Sequence, residues 1–249
     1  MFTPDMKTQY DREGFLAVKN VLTEDQLLEL RSRIDALIAD PDNPPEGVGI
    51  GREGNTVKDK ESDAAKNDDI RSASFLVRFL PFFQDIARSR NLLSLARGLL
   101  GGRVKVFRDQ ALFKPPGGQA KPPHQDQSYF RVEPMANLMT AWIALDDATI
   151  ENGCMCYVPG SHTHGIFPIT QDPERPVHHI PDTGELQLPD PVPVPVSAGS
   201  VIFHHGCTLH NSGDNTTNTW RKAIIFHYST SEAMSEKEEL NAQVSLEID

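Results

Sequence analysis

Gly199-Ser200-Val201-Ile202-Phe203-His204-His205-Gly206-Cys207-Thr208-Leu209-His210 reads as a turn, a short apolar strand and a histidine-rich end. Eleven residues past His210, Arg221 heads a second apolar run, Lys222-Ala223-Ile224-Ile225-Phe226. Two neighbouring antiparallel strands of this kind place an imidazole at one level of a cavity and a guanidinium deeper inside it. Further short runs lie upstream at Leu138–Leu145, Cys154–Val158 and Val192–Val196, separated by Gly, Pro, Asn and Asp clusters. Val104, Val106, Ala111, Leu112 and Phe113 predict a strand that stops at Lys114-Pro115-Pro116-Gly117-Gly118. The N-terminal part has another texture. After a short strand at Phe15–Val18, Thr23 and Gln26 form a capping box. Leu27, Leu30, Ile34, Leu37 and Ile38 then recur at helical spacing, which predicts a helix over 24–39. Residues 75–100 predict one or two more helices, closed by Gly101-Gly102. Helices first and many short strands afterwards make an α+β chain, mainly β, whose second half is a sandwich or barrel.

The chain has 249 residues, and 24 Lys+Arg against 35 Asp+Glu leave a net charge of −11. That length suits one domain over 1–249: a helical part to about 102, a β core over about 103–230 and a tail over 231–249. The acidic balance argues against a nucleic-acid partner or a polybasic membrane patch, and no apolar run approaches a membrane span. Three cysteines give no disulfide framework, and the polar N-terminus does not read as a signal peptide, so the cytoplasm is the expected compartment. Residues 41–70, with six Gly or Pro before position 52 and a charge run at Lys58–Asp63, predict a mobile loop closing over a site. Residues 168–191, with six prolines, predict a long insert between strands.

The chemistry begins at Pro122-Pro123-His124-Gln125-Asp126. On an extended strand, residues two apart share a side, so His124 and Asp126 can reach one metal ion. With His210 they make two imidazoles and one carboxylate, the donor set of non-haem Fe(II) oxygenases. Arg221 can grip a carboxylate through two parallel hydrogen bonds, and Ser212, two beyond His210, can add a hydroxyl.

Taken together, H-Q-D at 124–126, W-I-A-L-D-D at 142–147, E-N-G-C-M-C-Y-V-P-G-S-H-x-x-G at 151–165 and H-N-S-G-(x)7-R-K-A at 210–223 resemble the phytanoyl-CoA dioxygenase family of Fe(II)/2-oxoglutarate oxygenases. The resemblance runs from about residue 10 to 230. It implies a double-stranded β-helix (jelly-roll) core with N-terminal helices packed against it. It implies His124, Asp126 and His210 as iron ligands, and Arg221 with Ser212 on the far carboxylate of 2-oxoglutarate. Trp142 would line the co-substrate, and Gln110 falls at another co-substrate position. For a further basic contact Arg71 and Arg78 are both candidates, and it is assigned to neither. Three protein ligands leave three octahedral positions, two for the keto acid and one for O2. One oxygen atom then enters succinate, CO2 is released, and ascorbate serves as reductant in vitro. Asp126 sets the chain apart from related halogenases, which lack that carboxylate. The implied substrate is a small organic molecule: a secondary-metabolite intermediate, an amino acid or an acyl thioester. Oligomeric state is left open.

Plainer roles compete for several residues. One of His204 and His205 points inward by alternation, as a core histidine or as a support for the ligands. His162 and His164 belong to a structural turn. Cys154 and Cys156 with those two histidines lack zinc-finger spacing and read as buried thiols. His178-His179 reads as exposed. Tyr129 and Phe130 line a pocket mouth or pack, and Lys114 and Lys121 either meet an anionic substrate at that mouth or, by default, read as a solvated loop. Two rival functions remain, a non-catalytic jelly-roll that binds metal or ligand and a zinc hydrolase on the same three residues. The intact set of His124, Asp126, His210 and Arg221 speaks against the first, and the second has no use for Arg221 and Ser212.

Overall fold

In the computed structural model, residues 1–52, 70–172 and 179–248 are described. The central strands are buried along nearly their whole length because both of their faces are covered. On the strand Leu138–Ala144 all seven residues are buried, and on Arg221–Thr230 all but Lys222. These two lie in the middle of an antiparallel sheet ordered Phe15–Val18, Val201–His205, Leu138–Ala144, Arg221–Thr230, Val104–Lys114, Ile70–Ser74, Gly49–Arg52. Alternate residues divide between two cores. Ile143, Phe203, Ile224 and Phe226 pack with Leu30, Ile34, Leu92 and Leu95 of the helices. Trp142, Ile202, Ala223 and Ile225 face inward and pack with Met155 and Tyr157 of a second sheet. That smaller sheet runs Val192–Val194, Met155–Tyr157, His210–Ser212, Lys121–His124. Two facing antiparallel sheets with helices outside the larger one are the double-stranded β-helix that the motifs implied.

The helix Glu24–Ala39 has the expected bounds, and Thr23 and Gln26 exchange both capping hydrogen bonds. Residues 76–100 form three helices, Leu76–Phe79, Pro81–Ala87 and Arg90–Leu100, instead of one or two. Pro81, with no N–H to give, must open a new helix rather than continue one. Gly101 ends the last of them at φ 81°. A helix at Pro4–Glu13 was not expected: only Tyr10 of it is buried, so it carries no apolar periodicity.

Part of the expected loop is a sheet edge, since Gly49–Arg52 pairs with Ile70–Ser74. The rest of it, 53–69 with the charge run, lies outside the described residues, as does His178. The 168–191 insert holds a short hairpin, Ile169–Gln171 against His179–Pro181. Residues 231–248 return to the core: Leu246–Glu247 pairs with the Val104–Lys114 strand, and Arg108 donates to the carbonyls of Leu240 and Gln243.

Candidate metal and keto-acid site

Two strands and one helical turn bring the candidate metal-binding side chains together. His124 ends Lys121–His124 and sits in register with His210, which opens His210–Ser212. The two rings are 4.1 Å apart, centre to centre. Asp126 does not continue the strand, contrary to the extended reading of H-x-D. Gln125 is still extended, but Asp126 is the first residue of the short helix Asp126–Phe130. The side chain arrives at the same place, and one ligand atom from each of His124, Asp126 and His210 lies within 4.8 Å of the others. No second such cluster occurs among the described residues, and Cys154 and Cys156 stand apart from any. Burial pushes both of those thiols up, Cys154 to about 11.

Hydrogen bonds fix the imidazole tautomers. His124 Nδ1 lies 2.9 Å from the carbonyl of Pro122, and His210 Nδ1 lies 2.9 Å from that of Thr208. A carbonyl only accepts, so each Nδ1 carries the proton and each Nε2 keeps a lone pair for a metal. Asp126 Oδ2 accepts from His204 Nε2 at 3.0 Å and from the Thr140 hydroxyl, leaving Oδ1, 3.7 Å from His210 Nε2, to face the cluster. Because His204 donates through Nε2, its Nδ1 accepts from Tyr157 at 3.0 Å. Thr140 spends its one proton on Asp126, so His227 Nδ1, 2.9 Å away, donates to Thr140.

Burial lowers His210, His204 and His227 to about 4, and lowers His124 as well. Burial by itself would raise Asp126. The neighbouring imidazoles and the His204 hydrogen bond outweigh it and hold the carboxyl well below the usual range. Neutral imidazoles around an ionised carboxylate are the protonation states that a divalent ion needs.

Deeper in the cavity, Arg221 is 4% exposed and its guanidinium carbon lies 5.4 Å from the Trp142 ring centre. Arg221 Nε and Nη1 and Trp142 Nε1 are buried donors with no hydrogen-bond partner among the described residues. Burial lowers Arg221 to about 10, which leaves it cationic at neutral pH. Orphaned donors on a buried cation fit an anionic ligand, since leaving them unpaired is otherwise costly. His124, Asp126, His210, Ser212, Arg221, Trp142 and Gln110 all line one cavity of about 630 Å³. Arg71 lines it too, whereas Arg78 donates to the Val244 carbonyl. Tyr129 and Phe130 lie at its wall, as expected of pocket residues.

Besides the helical placement of Asp126, three features differ from the sequence reading. His210 and Arg221 stand on strands of opposite sheets, not on neighbours in one. Lys114, read as a solvated loop residue, is buried in the cavity wall, where its ammonium meets Ser212. Thr140 and His227 were not singled out. Counting in twos along a strand would have found both, Thr140 from Trp142 and His227 from Arg221.

The model of the family Phytanoyl-CoA dioxygenase (PhyH) matches residues 10–223. The Bos taurus phytanoyl-CoA dioxygenase domain-containing protein 1 is 29% identical, over 90% of this chain and 89% of its own length. The crystal structure of the epimerase SnoN in complex with Fe3+, alpha ketoglutarate and nogalamycin RO superposes with a TM-score of 0.71 at 26% identity, covering 92% of this chain and 84% of that one. The carbocyclase SnoK, 22% identical, shares the fold with a TM-score of 0.72 over 99% of this chain and 92% of its own. With the matched segment spanning most of the chain, the protein belongs to the phytanoyl-CoA dioxygenase family of Fe(II)/2-oxoglutarate-dependent oxygenases.

Proposed function

We propose that this chain oxidises a C–H bond of a small organic substrate while converting 2-oxoglutarate and O2 to succinate and CO2. The observation that carries the reading is one cavity holding both halves of the chemistry. At one level are two tautomer-locked imidazoles and a carboxylate, and at another is a buried guanidinium with unpaired donors. His124, Asp126 and His210 would hold Fe(II), which supplies the redox chemistry that joins O2 cleavage to decarboxylation. Arg221 and Ser212 bind the far carboxylate of the keto acid and so set how deep it sits. Trp142 offers its flat face to the carbon chain, and Gln110 adds a polar contact beside it. His204 and Thr140 keep Asp126 Oδ2 occupied, so that Oδ1 alone is presented. Tyr129 and Phe130 cover the mouth and limit access of water.

The substrate enters from that mouth, and a secondary-metabolite intermediate, an amino acid or an acyl thioester are the classes considered. A net charge of −11 fits a small acid or polycyclic metabolite better than a large polyanionic carrier. SnoN and SnoK are named an epimerase and a carbocyclase, so the outcome proposed is C–H oxidation rather than hydroxylation alone.

Succinate formation from 2-oxoglutarate with Fe(II), ascorbate and O2 tests the reading. Turnover without prime substrate is expected in the natural chain and absent in His124→Ala. Equal succinate from both chains, or no binding of 2-oxoglutarate to the anaerobic Fe(II) protein, would reject it.

A further inference from the structure

Arg221 and Ser212 leave one buried charge of the cavity without a role. Lys114 closes the strand Val104–Lys114 and sits in register with Arg221, so two cations stand side by side on neighbouring strands. Its side chain is buried, and its Nζ lies 2.8 Å from Ser212 Oγ and against the Gly213 carbonyl. Asp214 is the carboxylate that favours its charge, yet Asp214 Oδ1 is already engaged by the Ala120 amide. Cys154 and Cys156 also face it, both with raised thiols that stay neutral.

The hydrogen-bond inventory gives this contact a direction. In its charged form Lys114 has three protons and no lone pair, so the ammonium can only donate to Ser212. Ser212 Oγ, receiving that proton, must turn its own O–H elsewhere. Two of the three ammonium protons go to Ser212 and Gly213, and one is left over. Burial, and after it the repulsion of the neighbouring Arg221 cation, pull Lys114 down to about 7. An anion between them would relieve that repulsion.

We propose that Lys114 is a positioning residue for the far carboxylate of the keto acid. It turns the Ser212 hydroxyl proton toward the group that Arg221 grips, and it adds a second positive charge at that end of the cavity. This assignment rests on the 2-oxoglutarate reading above. Its consequence is selectivity for a dicarboxylic keto acid over one of the same length that ends in a methyl group.

The test is an anaerobic titration of the Fe(II) protein with 2-oxoglutarate and with 2-oxopentanoate. Binding is followed by the visible absorption of the chelated keto acid, which reads weak binding as well as tight. Lys114→Met is expected to weaken 2-oxoglutarate about tenfold or more and to leave 2-oxopentanoate within about twofold. Ser212→Ala should behave alike, and the double variant should be little worse than either single one. Should Lys114→Met fail to fold, Lys114→Gln keeps a donor for the Gly213 carbonyl without the charge, and the same selective loss is expected. Equal losses for both keto acids would make Lys114 a strut of the 213 turn and overturn the proposal, as would no loss for either. Failure of the natural chain to bind 2-oxoglutarate is a separate result and strikes the reading beneath it.

Discussion

Thr140 shows how much one hydroxyl decides at the cluster of His124, Asp126 and His210. It donates to Asp126 Oδ2 and accepts from His227 Nδ1, so one oxygen fixes the orientation of a carboxylate and the tautomer of an imidazole. Valine has the same shape and neither capability. In Thr140→Val the buried His227 N–H loses its acceptor, which costs about 1–3 kcal/mol of stability. Asp126 also loses a restraint on the oxygen turned away from the cluster. Affinity for a divalent ion is expected to fall about tenfold to a hundredfold, the usual consequence of removing a partner behind a metal ligand. Mn(II) titration and thermal melting of the variant check the two effects separately. Unchanged Mn(II) affinity would show that His204 alone orients Asp126. His124, Asp126, His210 and Arg221 could be picked out as candidates in the sequence because the family motifs H-Q-D and H-N-S-G-(x)7-R-K-A carry them, and the fold brings all four to one cavity. Thr140, His227 and Lys114 were not so marked. A threonine in an apolar strand and a lysine before Pro-Pro look ordinary until the opposite sheet gives them neighbours.

At the level of elements, adjacent residues of one strand do different work. Phe226 points to the helices and has no exposure, while Ile225 points to the cavity and is 6% exposed. Phe226→Ala should therefore cost about 3–5 kcal/mol, because a closely packed core cannot close the space. Ile225→Ala borders a cavity that already exists, so its cost should be smaller, with the larger effect on keto-acid or substrate affinity. Urea denaturation of the two variants checks this, and equal losses would contradict the division of the strand into two faces. The same division explains what could be read beforehand. The helix Glu24–Ala39 is specified locally by Thr23, Gln26 and its apolar spacing, so its bounds were predictable. Strand positions followed from apolar runs between turns. Which strands pair was hidden, since pairing joins residues such as His210 and His124 that lie far apart along the chain. The pairing of Gly49–Arg52 with Ile70–Ser74 was hidden for a second reason: a Gly-rich segment carries no apolar alternation.

Three buried histidines, His204, His210 and His227, line the cavity, and the half-buried His205 follows His204 on its strand, which ties the stability of the molecule to pH. His204, His205, His210 and His227 are each lowered to about 4, with burial as the largest cause. An unfolded histidine titrates near about 6.5, so between roughly pH 6.5 and 4 the unfolded chain binds more protons than the folded one. Stability therefore rises with pH across that window and is lost as pH falls through it. Asp126, whose folded carboxyl is lowered, contributes stability above its unfolded value and loses it only in stronger acid. Lys114, lowered to about 7, acts in the same direction as the histidines but above neutrality, which keeps the two contributions apart. Melting of the metal-free chain should give a Tm that drops steadily from pH 6.5 to 4.5. A divalent ion stabilises by binding the folded state, and its ligands must be free of protons. Mn(II) should accordingly raise Tm more at pH 7 than at pH 5, making the melting profile steeper. A flat metal-free profile across the window would mean that these imidazoles are not buried in their neutral form. A Mn(II) effect independent of pH would mean that the ion binds somewhere other than between His124 and His210.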